Sequence, residues 1–328
     1  MKNQVESFIS KLEEGISIGE LAQFTSPKFS ISNVVIAGLG GSGIGGTVVA
    51  QVLEQQIKVP IVVCKDYFLP SFVNENTLLI ISSYSGNTEE TVQVLKSALS
   101  VNPKIICVSA GGKVIELAKQ HQLDHIIIPG GMPPRACFAY SFTQLFYVLN
   151  AMGLINDGFK SELDKTVVLL KAEVENIKTE SKLLASKLYG TIPAIYSTAS
   201  YEGVCVRFRQ QINENSKMLC WHAALPEMNH NEIVGWVEKN EKVSVVFMRN
   251  ADDFYRTQKR MDFLKEVALQ CTPHVFDVWS KGDSMLARVF YLVLFGDWVS
   301  VYLSELKNID PTEVRVIDRL KQTLNALA

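Results

Sequence analysis

Short apolar runs rich in β-branched residues alternate with helical patterns along this chain, and that alternation constrains the fold more than any other feature. In the first half the runs fall at residues 33–37, 60–64, 78–82, 104–108 and 125–128. A strand apolar on both sides is buried on both faces, which is the situation of a parallel sheet clad by helices. Helical spacing at 45–55, 88–100 and 113–121 fills the gaps, and a longer helix follows at 136–154. The order predicts a parallel, doubly wound α/β sheet. Residues 157–188, rich in Lys, Glu and Leu and without Pro, read as a helix joining two domains. The alternation then resumes, with strands at 194–197, 242–248 and 274–278 and helices at 201–212, 253–269 and 284–306. A last helix is expected at 312–326, with Pro311 just ahead of it, as helix starts prefer. The expected division is a first lobe with a leading helix at 1–155, a helical linker at 156–190, and a second lobe with a closing helix at 191–328. The two lobes suggest a duplicated fold by element order alone, since no strong internal sequence repeat accompanies it.

Composition narrows the class. A chain of 328 residues, 47% hydrophobic and 20% charged, suits about two domains with sizeable cores. A net charge of −2 provides no electrostatic footprint for nucleic acid. The six cysteines are scattered, form no CxxC pair and lie partly in apolar runs, so buried free thiols in a reducing cytoplasm are expected. The polar opening Met1–Glu6 continues as an amphipathic helix rather than a signal peptide. The most apolar region, 285–304, is interrupted by Arg288 and Asp297 and reads as a buried core helix, not a membrane span.

The run at 78–82 empties into Ser82-Ser83-Tyr84-Ser85-Gly86-Asn87-Thr88-Glu89-Glu90-Thr91. A buried strand therefore ends in a hydroxyl-rich loop that opens a helix. Partnerless amides and the positive end of the helix dipole favour an anion there. The loop has no Lys or Arg, so a phosphate would be held by hydrogen bonds. The alternative is a simple cap, with Asn87 and Glu90 forming a capping box, but four hydroxyls exceed that need. The first strand likewise empties into Gly38-Leu39-Gly40-Gly41-Ser42-Gly43. Gly38, Gly40 and Gly43 satisfy GxGxxG, and Asp66 lies near the end of the next strand, so the pattern alone permits a dinucleotide site. Two ligand-type loops on one sheet edge equally fit one small phosphorylated ligand held from both sides.

Three further groups could carry chemistry. Arg135 follows Pro133-Pro134, which stiffen the backbone ahead of it; an arginine so held can stabilise charge on a reacting oxygen, or be a surface residue in a turn. Glu214, in Asn213-Glu214-Asn215-Ser216-Lys217, is expected at the strand–helix end of the second lobe, where ligands bind. It is a general base there, or else a solvated turn residue. His222 and His230, with Glu227 and Glu232, could suggest zinc. Their spacing matches no common ligand motif and Pro226 intervenes, so an acid/base histidine in a loop is the better reading. His121, His125 and His274 lie within element patterns and read as structural.

Together these motifs resemble the sugar isomerase (SIS) fold, and more closely the bifunctional phosphoglucose/phosphomannose isomerases. The matching residues are 38–46, 82–91, 133–135, Glu214 with Ser216 and Lys217, 226–232, and the closing Asp310-Pro311-Thr312 with Ile317, Leu320 and Lys321. The resemblance implies two SIS lobes and a cofactor-free, metal-free aldose–ketose isomerisation of a hexose 6-phosphate. It places the phosphate on Ser83, Ser85 and Thr88, with Gly41 and Ser42 beside them. Glu214 would be the base, Arg135 would stabilise the cis-enediol(ate), and His230 would assist ring opening from the partner subunit of a homodimer. Lys321 would serve ring opening or ligand binding from the last helix. The competing readings are a non-catalytic SIS sugar-phosphate sensor and a nicotinamide-dependent dehydrogenase built on the glycine loop.

Overall fold

In the computed structural model, which describes residues 1–326, the apolar runs become the strands of two sheets. Helices α1 (Lys2–Glu6) and α2 (Phe8–Leu21) lead into β1 (Asn33–Ala37), α3 (Gly40–Leu53), β2 (Ile61–Cys64), β3 (Thr77–Ser82), α4 (Glu89–Val101), β4 (Lys104–Ser109), α5 (Gly112–Gln120), β5 (Asp124–Ile127) and α6 (Phe138–Ala151). Helix α7 (Gly158–Leu188) follows. Then come β6 (Ile192–Thr198), α8 (Glu202–Ser216), β7 (Trp221–Leu225), β8 (Val243–Arg249), α9 (Tyr255–Cys271), β9 (Val275–Trp279), α10 (Met285–Leu306) and α11 (Arg315–Asn325). The first sheet is ordered β2-β1-β3-β4-β5 and the second β7-β6-β8-β9, and every pairing is parallel. The expected α/β class with two doubly wound parallel sheets holds.

Three local expectations are corrected. Strand β7 was read as loop because Trp-His-Ala-Ala-Leu has no β-branched residue. It is an edge strand, paired with β6 from Ala194↔Trp221 to Thr198↔Leu225, so tertiary pairing overrides a weak local preference. Helix α3 begins at Gly40 rather than residue 45. A Cβ at Gly43 would lie 2.3 Å from the Gly38 carbonyl, so the first turn closes directly onto the strand end, which glycine alone allows. Helix α11 begins at Arg315, so Pro311 precedes it by a full turn and lies in the approach to the helix.

One apolar core links the two sheets. It runs from Leu12 on α2 and Phe142 on α6 through Leu170 on α7 to Phe290 and Trp298 on α10. Phe138 and Phe142 stack at 4.7 Å, and Phe290 meets Phe142 edge-on at 5.4 Å, so α6 and α10 join the halves through aromatic contacts. Separate smaller cores cover the far face of each sheet. Helix α10 is long and apolar enough to cross a membrane, but 94% of its apolar window is buried inside the protein. Its three charges are partnered: Asp297 with Arg207, Arg288 with Tyr201 and Asp252, and Glu305 with Lys2. All six cysteines are free thiols.

Candidate active site

The C-terminal edge of the first sheet gathers the two loops. Ser83 Oγ donates to Thr88 Oγ1 at 3.1 Å, the Asn87 amide donates to Ser85 Oγ at 3.2 Å, and the Tyr84 amide donates to Ser42 Oγ at 3.0 Å. The serine loop is thereby tied to the first turn of α3. Gly86 has φ +68°, and a Cβ there would lie 1.8 Å from the Gly111 carbonyl, so any other residue would push the loop off the start of α5. The alternative reading, a capping box, does not form. Thr88 is the N-cap of α4, without a side-chain cap bond, while Asn87 Oδ1 accepts from the Lys113 amide of α5 at 3.0 Å. Asn87 joins two loops, and the first turn of α4 keeps its amides uncapped by any side chain. Glu89 and Glu90 also lie in that turn and already offset part of the dipole, which leaves hydroxyls and amides as the means of holding an anion.

The glycine loop owes its composition to contacts within the chain. A Cβ at Gly38 would lie 2.6 Å from the Ser82 carbonyl, and one at Gly41 3.1 Å from the Pro134 carbonyl. The 3₁₀ turn Pro134–Ala136 therefore rests against the start of α3, where a dinucleotide pyrophosphate would have to cross. Asp66 accepts from its neighbouring Tyr67 amide at 2.6 Å.

That turn delivers Arg135. Tyr84 prepares the approach: its hydroxyl donates to the Pro129 carbonyl at 3.0 Å and accepts from the Met132 amide at 3.2 Å. The Arg135 side chain is 6% exposed and reaches into the second half of the molecule. Nε donates to Asn215 Oδ1 at 2.7 Å, Nη1 to Glu214 Oε2 at 3.3 Å, and Nη2 to the carbonyls of Pro311 at 2.6 Å and Thr312 at 3.3 Å. Burial pushes the guanidinium below its ordinary value, while Glu214 and Asp310 pull it back. A guanidinium has five N–H groups; four are engaged here, which leaves one on Nη1 without an acceptor among the described residues. Asp310 shapes its own segment by accepting from the amide and hydroxyl of Thr312 at 2.8 and 2.6 Å. The Asp-Pro-Thr stretch is thus a turn that presents two carbonyls to Arg135.

Glu214 stands in the last turn of α8 with its side chain 32% exposed, open to a ligand yet paired with a buried cation. The expectation that it sits at the strand–helix end of the second sheet is corrected. Helix α8 starts near the C-terminal end of β6 and runs back against it. Its last turn lies at the N-terminal edge, where Trp221 opens β7 opposite Ala194. That edge faces the loops of the first sheet. Lys217, at φ +50°, ends α8 and donates from Nζ to the Glu214 carbonyl at 2.5 Å. Burial, and then Arg135 nearby, push the Lys217 amine down.

Two expected residues stand elsewhere. His230 is exposed on the 3₁₀ turn Glu227–His230, beyond the C-terminal end of β7 and so at the opposite edge of the second sheet from Glu214. Its loop is tethered: Glu232 accepts from Trp221 Nε1 at 2.8 Å and from the Tyr196 hydroxyl. Lys321 lies on α11, whose residues 315–324 are all exposed, and no contact ties it to Arg135 or Glu214. His222 is on strand β7 rather than in a loop, with Nε2 3.9 Å from Glu202; burial and Arg209 push its ring down. Among the described residues no three His, Cys, Asp or Glu side chains converge as a metal would require, so His222, His230, Glu227 and Glu232 do not gather into a zinc site. Tyr84, Asn215 and the carbonyls of Pro311 and Thr312 were not singled out from the sequence. Only the Asp-Pro-Thr turn chemistry gave a signal that could have found any of them.

Two sheets sharing one core, with hydroxyl-rich and glycine-rich loops on one edge and a buried Arg135 paired with a partly exposed Glu214, define a phosphosugar isomerase architecture of the SIS type. The family model for the bacterial phospho-glucose isomerase C-terminal SIS domain matches residues 177–324. The bifunctional phosphoglucose/phosphomannose isomerase of Caldicellulosiruptor bescii is 37% identical, over 99% of this chain and 98% of its own. That of Aquifex aeolicus is also 37% identical, over 89% and 90%. The chain belongs to the bifunctional phosphoglucose/phosphomannose isomerase family. In fold it is similar to the C-terminal domain of glucosamine-fructose-6-phosphate aminotransferase from Francisella tularensis, with TM-score 0.75, 14% identity and coverage of 94% and 98% of the two chains.

Proposed function

We propose that this protein interconverts glucose 6-phosphate and mannose 6-phosphate with fructose 6-phosphate through a cis-enediol(ate). The observation that carries the reading is the Arg135–Glu214 pair, a buried guanidinium with one N–H unengaged among the described residues, beside a carboxylate open to a ligand. Proton transfer next to a carbonyl needs one base and one group that stabilises the developing oxyanion. Glu214 moves the proton between C1 and C2, and Arg135 donates to the enediolate oxygen. The 6-phosphate rests on the hydroxyls of Ser83, Ser85 and Thr88 and the first amides of α4, with Gly41 and Ser42 alongside. An intermediate open to the base on both faces of C2 gives both epimers with one carboxylate.

The same reading assigns lobes at 1–155 and 191–328 around a helix at 156–190, supported by the two separate sheets. It makes the active species a cytoplasmic homodimer. An exposed His230 on a tethered loop, remote from Glu214 within the chain, supports its supply to the partner's site for ring opening. Lys321 joins the ligand from α11. The reaction so written uses no metal or nicotinamide. Fructose 6-phosphate given to the purified protein without added metal, in assays coupled separately to each aldose phosphate, should yield both products. Folded protein that forms neither would refute the proposal.

A further inference from the structure

Arg135 is held at both ends by buried groups. Arg207 is buried on α8 and donates from Nη2 to both oxygens of Asp297, at 2.9 and 2.7 Å, and to the Arg135 carbonyl at 3.0 Å. Gln211, one turn further along α8, donates to Asp297 Oδ1 at 2.6 Å and lies 3.5 Å from the same carbonyl. Asn215, one turn beyond, accepts from Arg135 Nε at 2.7 Å and donates to Ser300 Oγ at 2.9 Å. Ser300 in turn donates to the Asp297 carbonyl at 2.7 Å. Residues 207, 211 and 215 are spaced i, i+4, i+8 and form one helix face, and all are buried. From the other side Lys11 donates to the Ala136 carbonyl at 3.2 Å.

The bonding directions are forced. Arginine has no acceptor, so Asn215 must turn Oδ1 toward Arg135 and its amino group toward Ser300. A three-residue 3₁₀ turn leaves buried carbonyls that need donors, and Arg207 and Lys11 supply them. Through Nη2 alone, Arg207 bridges the Asp297 carboxylate and the Arg135 carbonyl. We propose that Arg207, Gln211 and Asn215, locked to Asp297 and Ser300 of α10, are positioning residues that set the backbone and the guanidinium of Arg135 for the isomerase reaction. This rests on the role assigned above to Arg135.

Removing one partner of a buried ion pair strongly destabilises a fold, so the test is placed at Asn215. Four proteins are compared with fructose 6-phosphate: wild type, Arg135→Ala, Asn215→Ala and the double variant. Loss of an oriented donor at a developing oxyanion should lower kcat of Arg135→Ala by about 100-fold. Asn215→Ala should lower kcat roughly 10- to 100-fold through misplacement of the donor, with KM little changed. In the Arg135→Ala background it should have almost no further effect on kcat, because nothing remains to position. Ser300→Ala, which removes the acceptor on the far side of Asn215 together with the bond to the Asp297 carbonyl, should repeat the pattern more weakly and serves if Asn215→Ala does not fold. A wild-type kcat for both Asn215→Ala and Ser300→Ala overturns the proposal. So does a loss that multiplies fully with that of Arg135→Ala, as a purely structural role would give. A wild-type kcat for Arg135→Ala overturns instead the role of Arg135, and the positioning inference with it.

Discussion

Thr88 shows how much one side chain is asked to do here. It ends the serine loop, opens α4 and accepts from Ser83 at 3.1 Å, while its hydroxyl makes no cap bond. Thr88→Val keeps the β-branched shape and removes only the hydroxyl. A hydrogen bond to a charged group is worth about 1.5–3 kcal/mol, so KM for fructose 6-phosphate should rise about 10- to 100-fold by the same measure. The kcat should stay close to wild type, since a contact made equally to ground and transition states affects KM alone. Steady-state kinetics check this, and an unchanged KM would remove Thr88 from the phosphate site. Thr88 stood out in the sequence because the hydroxyls of its loop exceed a cap's needs. Arg135 was legible because two prolines precede it. Asn215 and Tyr84 were not. Asn215 looked like one polar residue among several in a turn, and its partners Arg135 and Ser300 lie 80 and 85 residues away.

Among the elements, α8 carries the most information and was the hardest to read. Its existence followed from helical spacing after a strand. Its contribution depends on direction: a helix returning from a parallel strand ends at the sheet's N-terminal edge, so Glu214 arrives at the edge opposite to the one expected. A rule about where ligands bind in one sheet did not anticipate a site shared between two. Strand β7 escaped because pairing with β6, not composition, makes it a strand. Helix α4 shows the reverse case, since its start was legible to within a residue of Glu89 while the role of Asn87 was not. A side chain that caps the next helix across a loop, as Asn87 does for α5, has no local signature. The charges interrupting α10 mark a core helix rather than a membrane span, and their partners came only from the packing of α8, the turn just before it and the loop after β8.

On the scale of the whole molecule, the duplicated α/β order was legible because each buried strand had to be apolar throughout. The way the halves meet was not, because the shared core among α2, α6, α7 and α10 is built from residues far apart in sequence. The site inherits that arrangement: Arg135 comes from one half, Glu214 from the other, and His230 projects from the opposite edge. If each site of an isologous dimer combines Glu214 of one subunit with His230 of the other, mixing Glu214→Gln protein with His230→Ala protein regenerates one intact site per heterodimer. Random exchange of these two weak variants should restore about a quarter of wild-type activity. No recovery despite demonstrated exchange would place both residues of each site in one chain. The central claim is that Glu214 is the base, and the most direct measurement is turnover of fructose 6-phosphate by Glu214→Gln, paired with a titration of the same sugar phosphate. The account predicts that kcat falls by about 10²- to 10⁴-fold while affinity for the sugar phosphate is retained; a variant that binds and turns over like wild type would contradict it.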